Sequence, residues 1–379
     1  MKIRQLAAIV VAPILLASAC SDDDDDAVTQ AEATATADDD ADATADDTTA
    51  TAGEAEQTGD AEDTGGTTET AVDTVEATSA GTGETVSIVA SVPPTDHGWL
   101  GQIAAKAQEA ADQFDDVEFR LLEAADADSQ ASQIQTVINE RPDALVVLPY
   151  DGAQLTPVAE AAMAAGIPVI NVDRLFDSPD AARATILGDN YDIGVKAATY
   201  IAGRLDCAGN VVEIQGIAGI SVTTDRSQGF ADKIEELCGD GITIVAQQPA
   251  DFRPDLGLQV MEAILQANDD IAAVYTHDDD MAEGVVAAIE NAGREDEMFL
   301  TGAGGSCAAF DRIEEGGLYG ATYLYSPTMA GSAVNMARLI AQGRGFSDLV
   351  EPEVPSLIVV PPTEVIQDNV ADLRDLCFE

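Results

Sequence analysis

The sequence predicts an α/β fold built as two doubly wound halves, each around a parallel sheet. Three observations carry this. Beyond Glu84, short apolar runs rich in β-branched residues alternate steadily with Ala-rich amphipathic stretches. Strands alternating with helices of this length give parallel sheets with right-handed crossovers. The strand candidates are also too many for one comfortable twisted sheet, which calls for two. Finally, Gly166-Ile167-Pro168 and Gly241-Ile242 each place a glycine where a helix ends and a strand begins, so the two halves are built alike.

The chain opens with Lys2 and Arg4, an apolar run from Leu6 to Leu16, and Ala17-Ser18-Ala19-Cys20. This is an export signal over residues 1–19, too short and wrongly flanked for a membrane span. Ala17-Ser18-Ala19 suits ordinary signal peptidase. Leu16 to Cys20 resembles a bacterial lipobox with Ala17 in place of the usual Leu, and we expect Cys20 to carry a lipid. Residues 20–84 then form an acidic tether. From Ser21 to Glu84 there are 21 acidic residues and no Lys, Arg, Phe, Tyr, Trp, Leu or Ile. Such a segment cannot bury enough apolar surface to offset its ordering entropy and should stay solvated and extended.

In the remainder, strands are expected at Val86–Val92, Val117–Leu122, Ala144–Leu148, Pro168–Val172, Thr185–Leu187, Val211–Ile214, Ile242–Ala246, Ala272–Thr276, Met298–Thr301, Ala321–Tyr325 and Leu357–Val360. Apolar residues at helical spacing place helices at Gly101–Phe114, Gln133–Asn139, Gln154–Ala165, Val195–Leu205, Ile234–Leu237, Leu256–Ala267, Met281–Asn291 and Ala330–Ala341. The stretch from Ile214 to Phe230 organises the second half. A strand feeds a loop with Gly216 and Gly219, Thr224 and Asp225 offer capping oxygens, and Arg226 falls on the first helical turn. In open α/β sheets, ligands bind beyond the carboxyl ends of strands, so Arg226 is a candidate to hold a small polar ligand.

Residues 85–379 carry a formal net charge of −34, which argues against nucleic acid or an anionic membrane surface as partner. Their length suits two domains. With Cys20 lipidated, Cys207, Cys238, Cys307 and Cys377 remain, and export permits disulfides. Cys207 and Cys238 each end a helix just before a strand, at the same end of a sheet. The expected pairs are Cys207–Cys238 and Cys307–Cys377. No spacing points to a zinc or redox site, and no cofactor or metal is expected.

Five stretches, in the right order and spacing, allow a family to be named: Pro168 to Arg174, Leu187-Gly188-Asp189-Asn190, Gln215 to Phe230, Gln248 to Phe252, and His277 to Ala282. Over about residues 85–362 the chain resembles the type I periplasmic sugar-binding proteins of ABC importers, the ribose-binding-like group. The resemblance implies two Rossmann-like lobes joined by a three-strand hinge, with the ligand closed between them. It divides the chain into a first lobe of 85–188 and 326–354 and a second of 189–325 and 355–379. It also implies a monomer outside the cytoplasm, held at the membrane by its lipid, that passes a sugar or polyol to a permease and its ATPase.

The resemblance assigns roles that the side chains suit. Trp99, the only Trp, follows the first strand and would stack on the C–H face of a sugar ring. Asp96 would make a polar contact in the same loop. Asp173 would accept from hydroxyls, and Arg174 and Arg226 would donate to ring or hydroxyl oxygens from opposite lobes. Phe252 would stack on the face opposite Trp99. Asp278 stands where an Asn is usual, Gly304 where an Asp is usual, Tyr325 where a Gln is usual and Leu148 where an Asn is usual. A site with a changed hydrogen-bond pattern rejects a mismatched ligand, so a pentose other than ribose, a hexose, a deoxy sugar or a sugar alcohol is expected.

Two other functions use the same residues. Asp96, Asp173 and Asp278 could supply a carboxylate pair for glycoside hydrolysis, while two histidines, His97 and His277, argue against a relay. Against an enzyme, there is no nucleophile elbow, phosphate loop or metal spacing in context. A sensor presenting a sugar-like signal to a membrane receptor would need the same pocket as a transport protein.

Overall fold

The computed structural model describes residues 83–95, 98–344 and 354–379. The expected export signal, Cys20, the tether up to residue 82, Asp96 and His97 lie outside the described residues. In the first half, β1 (Val86–Val92), β2 (Val117–Glu123), β3 (Ala144–Val147), β4 (Val169–Val172) and β5 (Ala184–Gly188) alternate with helices α1 (Gly98–Ala111), α2 (Ala127–Glu140) and α3 (Gly152–Ala164). The second half repeats the scheme. It runs α4 (Asn190–Leu205), β6 (Gly209–Gln215), α5 (Ser221–Cys238), β7 (Ile242–Pro249), α6 (Pro254–Ala267), β8 (Ala273–Thr276), α7 (Asp279–Ala292), β9 (Phe299–Thr301), α8 (Cys307–Glu315) and β10 (Tyr319–Leu324). Helix α9 (Met329–Ala341) and strands β11 (Leu357–Val360) and β12 (Thr363–Ile366) follow.

Two six-stranded sheets result, ordered β11-β5-β4-β3-β1-β2 and β12-β10-β9-β8-β6-β7. Every pairing is parallel except β10 with β12. The strand order reverses at β1/β3 in one sheet and at β6/β8 in the other. Crevices therefore open at equivalent points beyond the carboxyl ends of both sheets. The central strands β3, β4 and β8 are buried along their whole length, which is why their sequences are nearly continuous apolar runs.

The chain crosses between sheets three times: from β5 to α4, from β10 to α9, and from β11 to β12. Helix α9 packs back on the first sheet, and a buried ion pair pins it there. Arg338 donates to Asp116 through Nε at 2.7 Å and Nη2 at 2.6 Å. The guanidinium holds the Asp116 carboxyl well below the usual carboxylate range. Leu357–Val360 pairs with β5, so residues 355–360 belong with the first sheet, and the return to the second sheet begins after Val360. The expected lobe boundary at 355 is shifted for that reason.

Helix α5 differs from the reading of the second half. Helix α5 starts at Ser221, not at Thr224–Asp225, because the turn at Gly219 (φ 88°) ends the loop earlier. The residue before the helix, Ile220, makes no side-chain cap, and Thr224 Oγ1 donates back to the Ile220 carbonyl at 3.0 Å. Arg226 therefore sits on the second turn. The Ser221 hydroxyl accepts from the Leu175 N–H at 3.0 Å, a contact from one sheet's loops to the other's. Helix α5 also lies unusually close to α4. A Cβ on Gly194 would come within 2.2 Å of the Arg226 carbonyl oxygen, and one on Gly229 within 2.1 Å of the Tyr191 carbonyl oxygen. Only glycine at both positions lets the two backbones touch.

Both expected disulfides are present. Cys207–Cys238 joins the ends of α4 and α5, and Cys307–Cys377 ties the start of α8 to the chain's last residues. The second closes a separation of 70 residues. Replacing Cys307 and Cys377 by Ser is expected to cost about 2–4 kcal/mol of unfolding free energy. Urea unfolding of the non-reduced protein checks this, with the Cys207/Cys238 double variant for comparison.

Candidate functional site

The carboxyl ends of both sheets face each other across a cleft. Trp99, Asp173 and Arg174 line it from the first sheet's loops, Arg226, Phe252 and Asp278 from the second's, and Tyr325 from the crossing that leads to α9. These are seven of the eight expected contacts, brought together in one place.

Asp173 and Arg174 follow β4 directly. Asp173 is held at φ 66°, a conformation that costs energy for a non-glycine residue and tends to occur where geometry serves function. Its N–H donates to the Ile186 carbonyl at 2.9 Å, which locks the turn onto β5. Both side chains are buried, with Arg174 Nε 3.9 Å from Asp173 Oδ2. Arg174 Nη1 donates to the carbonyls of Pro149 (3.2 Å) and Tyr150 (2.7 Å). Its buried Nε has no hydrogen-bond partner among the described residues. Burial pushes the Asp173 carboxyl above its usual range despite the pull of Arg174, Tyr325 and Arg226.

Tyr325 is the centre of the site. Its hydroxyl donates to Asp173 Oδ1 and accepts from Asn190 Nδ2 at 3.0 Å. Its ring fits above Gly188, where any Cβ would lie 1.9 Å from a ring carbon. The Trp99 indole packs against that ring at 5.3 Å between centroids and 43° between planes, while its Nε1 donates to the Tyr325 carbonyl at 2.7 Å. The Arg226 guanidinium stands 4.9 Å from the ring centroid, in cation–π contact. Tyr325 thus does more than replace a contact residue. It braces four others.

Arg226 reaches the cleft from α5 because the glycine seam brings α5 onto α4. Nε donates to Asn190 Oδ1 at 2.9 Å and Nη1 to the His277 carbonyl. Nη2 donates to no described residue. Behind His277 lies a buried polar cluster: Glu213 Oε1 accepts from the Ser227 hydroxyl at 2.6 Å and faces His277 Nε2 at 2.8 Å, while Oε2 accepts from Gln247 at 2.6 Å. Burial lowers the His277 pKa, outweighing the Glu213 carboxylate, so the imidazole is held neutral. His277 is fully buried and faces Glu213, away from the cleft. It has no part in a catalytic relay at the cleft, and its carbonyl holds Arg226.

Phe252 follows β7 at φ 61°, next to Asp251 at φ 54°. Its ring lies over Gly216, whose Cβ would come within 2.0 Å of Cζ. Asp278 caps α7, accepting from the Met281 N–H at 2.9 Å. Burial, then the charge of Asp280, then that of Asp279, raises its pKa well above the usual carboxylate value. Asp279 is structural. It is 2% exposed and accepts from Gly305 N, Ser306 N, Tyr319 and Thr322, holding the loop that carries Gly304. Leu148 is buried and does not line the cleft, whereas Gly304 does.

The sequence reading missed Asn190 and Asp280. Asn190 lay in one of the quoted stretches, and Asp280 in the run Asp278-Asp279-Asp280. Nothing local separates Asp280 from its two acidic neighbours, since acids are common at a helix start.

A model of the periplasmic binding protein domain matches residues 88–345. The chain belongs to this family. Its members are extracytoplasmic solute-binding proteins rather than enzymes, and two lobes with parallel sheets are their fold. The ribose import binding protein of Bacillus subtilis (strain 168) is 32% identical over 212 residues, covering 56% of this chain and 67% of that protein. The D-ribose/D-allose-binding protein of Pseudomonas aeruginosa is 31% identical over 52% of this chain and 62% of its own length. These curated matches span about two thirds of each relative. A solved ABC transporter solute-binding protein from Bacillus halodurans with bound myo-inositol is 27% identical with a TM-score of 0.71, covering 77% of this chain and 98% of that one. Among the described residues no helix is long and apolar enough to cross a membrane, and no group of side chains could hold a metal ion.

The Asp278 carboxyl gives the site a pH signature. Its pKa is raised above the unfolded value of 3.8, so the native state holds the proton more tightly. The resulting penalty is fully present above the raised pKa and fades as pH falls through it towards the unfolded value. Asp278→Asn keeps a capping side chain without the charge. The ligand-free variant should melt at a higher temperature than the parent at about pH 8, with the gap closing towards about pH 4, as read by thermal unfolding across that range.

Proposed function

We propose that this chain captures a monosaccharide or sugar alcohol between its lobes and delivers it to the permease and ATPase of an ABC importer. The observation that carries the reading is the set of groups facing one cleft from both lobes. Two guanidiniums and three carboxylates offer a polyol donors and acceptors, while Trp99 and Phe252 offer ring faces. Arg226 and Asp173 are held ready by protein partners, so little side-chain ordering remains for the ligand to induce. A hydrogen bond to a charged group contributes about 1.5–3 kcal/mol. Several of these, less the cost of immobilising ligand and lobes, correspond to micromolar affinity, about −8 kcal/mol.

On this reading the protein acts as a monomer outside the cytoplasm. A lipid on Cys20 keeps it at the membrane, and the acidic stretch gives it reach to the permease.

A thermal-shift screen over pentoses, hexoses and polyols tests the proposal, since a ligand at a hundred times its Kd stabilises the native state by about 2.7 kcal/mol. At least one sugar or polyol should raise the melting temperature, and a set that raises it with none would sink the reading. Arg226→Lys keeps the charge but loses the fork that Asn190 and the His277 carbonyl hold. Its affinity for the sugar so found should fall about ten- to a hundredfold by calorimetry. Unchanged affinity removes Arg226 from the site.

A further inference from the structure

The cleft does not end at the chamber between Trp99 and Asp278. A second cavity of about 550 Å³ shares Leu100, Arg174 and Phe252 with it. A third, of about 290 Å³, shares Tyr150 and Ile217 with the second. One groove therefore runs along the meeting line of the lobes, through an outer chamber larger than the inner one. Its walls are loops of the kind that form the inner site: Pro93-Pro94 after β1 and Tyr150 after β3 on one side, Ile217 after β6 and the loop after β7 on the other.

The junction between the chambers is built. Arg174 lines both, is only 4% exposed, and commits Nη1 to the carbonyls of Pro149 and Tyr150. Its Nε is left buried without a hydrogen-bond partner, which is costly unless a ligand supplies one. Phe252 stands opposite, also lining both chambers, fixed by two consecutive residues at positive φ. Arg174 and Phe252 are thus shared by the two chambers, and a guanidinium and an aromatic ring at such a junction suit an ether oxygen flanked by two rings.

From this we infer that the ligand is larger than one ring: a glycoside, with its sugar in the inner chamber and the second ring or aglycone in the outer one. The bridging oxygen accepts from Arg174 Nε, and the second ring packs against Tyr150 and Ile217. The inference rests on the sugar-binding reading and narrows it to a substrate class.

Calorimetry on the full chain tests it, with D-ribose, D-allose, D-glucose and D-galactose compared with their phenyl glycosides and with cellobiose and lactose. The glycoside of the preferred sugar should bind at least about tenfold tighter than the free sugar. Ile217→Trp, on a partly exposed loop outside the inner chamber, should fill the outer chamber. It should remove that gain while leaving the free sugar's affinity within about twofold, which also reports an intact fold. A glycoside that binds no better than its free sugar overturns the inference, as does a loss at Ile217→Trp equal for both ligands. Binding of no sugar in either form would overturn the sugar reading itself.

Discussion

The hydroxyl of Tyr325 is the constraint on which the rest of the site depends. It lies on the chain segment that crosses from the second sheet back to the first, donates to Asp173 and accepts from Asn190. Asn190 in turn holds Arg226, whose other amino group is held by the His277 carbonyl. An unbroken chain of buried hydrogen bonds therefore runs from the first lobe's carboxylate through the crossing strand to the second lobe's guanidinium. In a low-dielectric interior such a chain is strong when complete and costly when broken. Removing one hydroxyl would free an acid, an amide and a cation together.

The network also explains how a cleft can hold so many charges. Asp173 and Asp278 both have raised pKa values, and in both cases burial is the leading cause. Their desolvation is a standing cost of the ligand-free protein. A polyol whose hydroxyls donate to these carboxylates relieves part of it, so strain in the empty site becomes affinity in the filled one. The buried pair Arg338–Asp116, by contrast, is fully hydrogen-bonded and anchors α9. The same chemistry serves architecture in one place and recognition in another, and the difference is whether the partners are complete.

Most of the fold was legible in the sequence because central strands such as Val146 and Ile170 sit in continuous apolar runs, and helices such as α7 carry a clear apolar stripe. Helix α8 escaped because it has nine residues and only Ala309, Phe310 and Ile313 buried, too few for a helical period to stand out. Strand β12 escaped because it follows Pro361-Pro362 and buries only Val365. The contact residues were legible as types at strand ends. Their connections were not, since the bonds of Tyr325 to Asp173 and Asn190 span 152 and 135 residues. No local pattern encodes a contact at that separation. The start of α5 was misplaced because the turn at Gly219 ends the loop early and no side chain caps the helix.

The seam at Gly194 and Gly229 has a consequence for how the protein responds to its ligand. Because the α4 and α5 backbones touch there, the helix bearing Arg226 cannot slide or rotate on its neighbour without collision. The guanidinium moves with its lobe as one rigid piece. The aim of the guanidinium is therefore built into the packing of its lobe and owes little to a choice among side-chain conformations. That packing also makes binding fragile at a distance: a single methyl group added at either glycine, well away from the ligand, would wedge the helices apart and misaim the guanidinium.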